Sequence, residues 1–313
     1  MSGKTAENMP RDISEEVYRY LARDWGQSGD VLTLAKIRQL KRDIPNLRQR
    51  YQRELRIPYH QSAMRRAYLA SFAARYAYIL HGCLDLVRAK ALATLQPWHR
   101  DEAVVCLMGG GPACELVGLL EWLYDNDIKP KYLHAVILDR EGFWRSFHSF
   151  LFVEILGRLF PKTQIIPTYE SVDFPVAKGK KFVRESVDYG FRNTSLLAEA
   201  RLISLANCLS EIPNHRGFEC QLRFLTRIAW NSQLVVCADS AAKKRRQRMS
   251  WLSSHFHSAA AFRARGLFSG VHTFGCSWLT SMSPNSVRIF NKATKPVWLH
   301  SFKRWIYVAH TRP

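Results

Sequence analysis

Five short apolar runs, separated by segments of helical character, occupy the middle of this 313-residue chain and constrain its fold more than any other feature. They read "VVCLM" at 104–108, "LHAVILD" at 133–139, "TQIIPTY" at 163–169, "RLISLANC" at 201–208 and "SQLVVCAD" at 232–239. Continuous rather than alternating hydrophobicity marks strands buried on both faces, as a parallel sheet requires. Residues 114–124, 140–160 and 216–229 read as helices between them, so the chain builds right-handed βαβ units. Pro167 is expected to shorten the third strand.

The flanks differ in character. Residues 13–87 are helical text, with Ile37, Leu40, Ile44 and Leu47 at three- and four-residue steps. Arg38, Lys41, Arg42, Arg48, Arg50 and Arg53 fall on other faces. Pro58 interrupts this run. A second helix over about 61–93 carries Met64, Tyr68, Phe72, Tyr76 and Leu80 as a stripe expected to pack into the core. "QPWHRDE" at 96–102 reads as a linker. Past residue 240, a helix at 258–267 and antiparallel strands within "RIFNK", "PVWLHSF" and "WIYVAHT" are expected to close one sheet edge. The predicted organisation is a basic helical region over 1–97 and a doubly wound domain over 98–313 with a basic insertion at 241–270. The fold class is α/β: a doubly wound, mostly parallel sheet with an N-terminal helical cap and a basic C-terminal segment closing the sheet edge.

Net charge is +20, from 46 Lys and Arg against 26 Asp and Glu, and it is unevenly placed. Residues 1–100 hold 18 basic against 9 acidic side chains (+9), residues 101–240 hold 15 against 17 (−2), and residues 241–313 hold 13 against none (+13). A 74-residue segment without one carboxylate repels itself unless a polyanion lies against it. Nucleic acid is the expected partner, ahead of an acidic protein or a membrane surface. The apolar runs are too short for a membrane span, and the N-terminus lacks the apolar core of a secretory signal, so a cytoplasmic protein is expected. The seven cysteines form no CxxC pair, and "HFH" at 255–257 lacks partners at ligand spacing. Buried free thiols and no metal are therefore expected.

The first strand runs straight into "GGGPACELVG" at 109–118. Glycines let backbone amides approach a ligand closely, and the helix behind them offers unpaired N–H groups. Alone, the loop is a weak signal that a plain strand–helix turn also fits. Asp139 ends the second strand 28 residues beyond Gly111, where a carboxylate can accept both hydroxyls of a ribose. Cys114 stands where the dinucleotide fingerprint needs its third glycine, which disfavours NAD.

"LMGGGPACELVGL" followed by "AVILD" resembles motifs I and II of class I S-adenosylmethionine (SAM)-dependent methyltransferases. "LISLANCLSEI" at 202–212 is similar to their fourth motif. The resemblance covers roughly 100–240 and implies a SAM-binding catalytic domain. It implies Gly109, Gly110 and Gly111 around the methionine part, Asp139 on the ribose, Asn207 and Cys208 beside the sulfonium, and Glu170 or Asp173 near adenine. The sequence departs from the family at Leu107, where an acid is usual, and at Ala113, which replaces a glycine; Glu115 is the carboxylate available instead. "RRAYLASFAARYAYIL" with "GGGPACELVGL" is also similar to fungal-type ribosomal RNA uridine-N3 methyltransferases.

The acceptor follows in part by elimination. Ribose 2′-O transfer in its common form needs a late acid, and none follows Asp239. N6-adenine transfer uses an Asn/Asp-Pro-Pro-aromatic turn, whereas this chain carries "NCLS" at 207–210. Pyrimidine C5 transfer needs a cysteine thiolate, and Cys208 lacks the usual preceding proline. A base ring nitrogen of RNA remains, ribosomal RNA first, with Asn207 orienting the base and Glu211 as candidate general base. Arg38, Lys41, Arg42 and Arg48, with Lys243, Lys244, Arg245, Arg246 and Arg248, are the expected phosphate grip. The rival readings are a methyltransferase of a protein or small molecule, and a non-catalytic nucleic-acid-binding protein on a decayed methyltransferase fold. Whether a protein partner completes the site stays open.

Overall fold

A computed structural model describes residues 13–29, 31–53, 57–99, 102–139, 142–171, 196, 199–206, 233–240, 265–275 and 301–310. Among these, seven strands form one sheet: β1 (Glu102–Met108), β2 (Tyr132–Asp139), β3 (Gln164–Ser171), β4 (Leu202–Ala206), β5 (Leu234–Ser240), β6 (Arg265–Gly275) and β7 (Ser301–His310). Their spatial order is β3-β2-β1-β4-β5-β7-β6. The first five run parallel, while β7 is antiparallel to both β5 and β6. This is the doubly wound, mostly parallel sheet that the sequence predicts, with an antiparallel pair at its edge. The order reverses between β1 and β4, so a crevice opens at the carboxyl ends of those strands.

The central strands explain their own composition. Val105, Cys106, Leu107 and Met108 of β1 are fully buried, as are Leu202, Ile203 and Leu205 of β4, because helices cover both faces. Two expectations need correction. β3 continues through Pro167, which pairs with Ala135, and reaches Ser171. It is an edge strand, where a missing N–H on the outer side interrupts no ladder. Residues 265–267, expected in a helix over 258–267, open β6 instead, and 258–264 lie outside the described residues. β6 is rich in Gly and polar residues and carries an irregularity between Gly266 and Phe268, so its two-residue period is hidden in the sequence.

The N-terminal helices pack on the same core. Helix α1 spans Ile13–Asp24 and α2 spans Leu34–Gln52. In α2, Ile37, Leu40, Ile44 and Leu47 are buried while Arg38, Lys41 and Arg42 are exposed. The expected single helix over 61–93 is segmented into α3 (Ser62–Tyr68), a π-helical turn (Leu69–Ala73), α4 (Ala74–Ala77), α5 (Ile79–Asp85) and α6 (Arg88–Leu95). Its stripe is split as well: Met64 and Leu80 are buried, whereas Tyr68, Phe72 and Tyr76 form a half-buried aromatic ladder at centroid spacings of 5.4 Å. Helix α7 (Glu115–Asp125) follows the glycine loop. A Cβ on its Gly118 would stand 2.4 Å from the Ala77 carbonyl oxygen, so α7 and the end of α4 touch backbone to backbone. Trp122 of α7 donates from Nε1 to Asp85 at 2.9 Å. After β2 come α8 (Arg145–Ser149), a π-helical segment (Phe150–Leu156) and α9 (Gly157–Leu159). Tyr20 of α1 meets Phe147 edge-on at 4.9 Å, and Arg23 binds both Glu154 oxygens at 2.7 and 2.9 Å.

Candidate cofactor site at the glycine loop

Parallel pairing sets Leu107 beside Ile137 and Met108 beside Leu138, which brings Gly109 level with Asp139. The ladder continues one step further, with Gly109 N–H donating to the Leu138 carbonyl at 2.7 Å. The chain then reverses. Gly109 (φ 62°) and Gly111 (φ 44°) adopt left-handed backbone that side chains disfavour. Gly110 has no room for a side chain, since a Cβ would fall 2.8 Å from the Leu107 Cβ. Ala113 also lies in the left-handed region at φ 58°, backbone that glycine adopts more readily.

Two side chains from the β2 side hold this loop. Gly111 N–H donates to Asp139 Oδ2 at 2.8 Å. His148 of α8 donates from Nε2 to the Gly111 carbonyl at 2.7 Å. The imidazole is buried and stacked between Phe152, at 5.7 Å, and Tyr169 of β3, at 4.7 Å. Burial lowers its pKa to about 4, against the opposing pull of the Gly111 bond, so the ring is neutral. Trp144 lies one helical turn before His148 and is likewise buried. A Cβ on Gly111 would stand 3.7 Å from Trp144 Nε1 and 3.8 Å from Asp139 Oδ2. The missing Cβ therefore leaves a point within 4 Å of both an indole donor and a carboxylate acceptor.

Glu115 sits in the first turn of α7 and is buried. Desolvation raises its pKa to about 8, partly offset by a bond to its own backbone N–H and reinforced by the nearby Asp139. Leu107 is wholly inside the core, so its side chain faces packing rather than ligand.

The structure thus brings together Gly109, Gly110, Gly111, Glu115 and Asp139. Glu170 of β3 pairs in register with Leu138, one step from Asp139. Asp173, Asn207, Cys208 and Glu211 lie outside the described residues, as do Lys243, Lys244, Arg245, Arg246 and Arg248. Arg38, Lys41 and Arg42 are exposed on α2, while Arg48 is half-buried and its pKa is lowered by burial. Cys83, Cys106, Cys114 and Cys237 are buried and in no disulfide, and burial disfavours thiolate formation at Cys83, Cys106 and Cys114. Among the described residues no His, Cys, Asp and Glu cluster is arranged to hold a metal ion, and no helix is long and apolar enough to cross a membrane. Trp144 and His148 are the site residues that sequence reasoning missed. Their signal was an i, i+4 pair of ring side chains on the helix directly after the strand-ending acid.

No protein-family model and no curated protein matches the chain. Solved structures similar to it include an uncharacterized protein from Burkholderia thailandensis, at 11% identity and a TM-score of 0.43, covering 90% of this chain and 94% of that one. A SAM-dependent methyltransferase from Methanosarcina mazei is similar at 8% identity and a TM-score of 0.38, covering 69% and 96%. The methyltransferase domain of bacterial CtHen1-C is similar at 10% identity and a TM-score of 0.36, covering 74% and 100%.

Proposed function

We propose that this chain is a SAM-dependent methyltransferase acting on RNA, with a base ring nitrogen of ribosomal RNA as the acceptor. The observation that carries the cofactor reading is the Gly111–Asp139 contact at 2.8 Å beside a helix N-terminus. It puts a ribose-type acceptor and a side-chain-free loop at the carboxyl ends of β1 and β2, where doubly wound sheets bind ligands. Bound there, SAM supplies a methyl group already activated on a sulfonium, so the protein's task is chiefly to position the acceptor. Gly109, Gly110 and Gly111 leave backbone room, Asp139 takes hydroxyls, and Glu115 offers a carboxyl that ionises when a cation approaches.

Charge supports the acceptor class. The flanks carry +9 and +13, against −2 over residues 101–240. Exposed Arg38, Lys41 and Arg42 on α2 are one basic surface of that kind, and the sequence adds a second basic run over 243–248. Asn207 and Glu211 are the proposed acceptor-side residues. The test is transfer of a tritiated methyl group from SAM to separated RNA, DNA and protein fractions. Label in RNA, lost with Asp139→Ala, is the expected result; label confined to protein or DNA rejects the RNA acceptor.

A further inference from the structure

The Trp144 indole is 2% exposed, and no described residue accepts a hydrogen bond from its N–H. The ring is buried, yet its Nε1 is not among the sealed polar atoms that lack a partner, so the N–H edge keeps access to an opening beside the candidate ligand site. The ring is held firmly. Tyr59 and Tyr68 pack on it at centroid distances of 5.3 and 5.4 Å, and the Tyr59 hydroxyl is itself tied to the Tyr51 hydroxyl at 2.6 Å. Its Nε1 lies 3.7 Å from the point that a Gly111 Cβ would occupy, and Asp139 Oδ2 lies 3.8 Å from the same point. Donor, acceptor and the missing Cβ therefore converge on one small opening. A hydroxyl group is the function that uses both partners at once, since it donates one bond and accepts another. A carboxylate offers about four lone-pair sites, so Asp139 can take a hydroxyl donor in addition to the partners it already has.

We propose that Trp144 is a cofactor-binding residue: its indole N–H donates to a ribose hydroxyl whose own O–H donates to Asp139. This rests on the nucleoside-binding reading above. It also gives the N-terminal helices a part in the site, because Tyr59 and Tyr68 fix the indole edge.

The test is calorimetric binding of S-adenosylhomocysteine, and of its 2′-deoxy and 3′-deoxy ribose analogues, to wild type and Trp144→Phe. Losing one hydrogen bond weakens S-adenosylhomocysteine by about tenfold. The same substitution changes affinity less than about twofold for the analogue that lacks the contacted hydroxyl, because the bond is already absent. The inference is overturned if Trp144→Phe binds S-adenosylhomocysteine as wild type does, or weakens it and both analogues equally. A wild type that binds none of the three removes the nucleoside reading itself, and this inference with it. Should Trp144→Phe lose its fold by circular dichroism, the wild-type indole N–H resonances of the nine tryptophans read the same contact. One of them shifts on saturation with S-adenosylhomocysteine; nine unmoved resonances overturn the proposal.

Discussion

His148 Nε2 donates to the Gly111 carbonyl oxygen across 2.7 Å, so the position of the glycine loop is set from the helix that follows β2. The other ring nitrogen, Nδ1, is buried with no partner, which makes this single bond the ring's polar anchor. His148→Leu removes the donor, and S-adenosylhomocysteine affinity falls about three- to tenfold. His148→Gln restores an N–H donor and recovers most of that loss. Titration calorimetry on the three proteins reads both effects; equal affinities would show that the loop holds itself. The imidazole also makes an acid limb. Its folded pKa near 4 lies below the ordinary 6.5, so the unfolded chain binds the proton first as pH drops. Stability from this group is complete above about pH 6.5 and is lost toward pH 4.

Glu115 acts in the opposite direction. Its pKa is raised to about 8 from an ordinary 4.5, so the folded protein prefers the protonated carboxyl. The stability it contributes is complete below about pH 4.5 and drains away as pH rises toward 8. Glu115→Gln keeps a neutral polar group at every pH. The variant therefore gains on wild type by about 2–4 kcal/mol between pH 5 and pH 8. Urea unfolding midpoints at the two pH values measure this. Parallel curves for the two proteins would mean that the carboxyl is ionised throughout.

Arg38, Lys41 and Arg42 test the substrate side without touching the core, since all three are exposed on α2. Replacing all three with Gln leaves S-adenosylhomocysteine binding unchanged and weakens RNA binding. Each lost phosphate contact takes about 0.7 from the slope of log affinity against log salt for single strands, so the triple variant loses about 2. Filter binding across a salt series gives that slope. An unchanged slope places the RNA elsewhere.

Much of the fold was legible because parallel strands are buried on both faces and write themselves as unbroken apolar runs. Val104–Met108 and 133–139 could be placed to within a residue or two of β1 and β2. β6 was not legible: its segment "RGLFSGVHTFG" mixes glycine with polar residues, and its partner β7 lies 26 or more residues further on. The length of β3 was misjudged because Pro167 penalises a strand only where its missing N–H would have been used, and edge position is a tertiary fact. Segmentation of 62–95 was hidden for a related reason, since the π-helical turn at Leu69–Ala73 leaves no apolar gap. At the site, the glycines and Asp139 were readable from their spacing along successive strands. Trp144 and His148 were not, because their roles depend on how the helix after β2 folds back over the loop.

The central claim is that the loop and Asp139 form a SAM site, and calorimetric titration of S-adenosylhomocysteine into wild type and Asp139→Ala tests it most directly. The account predicts saturable one-to-one binding by wild type. It predicts a loss of roughly tenfold or more in Asp139→Ala, as expected when hydrogen bonds to a charged group are removed. No heat with wild type, or equal affinity in a folded Asp139→Ala, would contradict it.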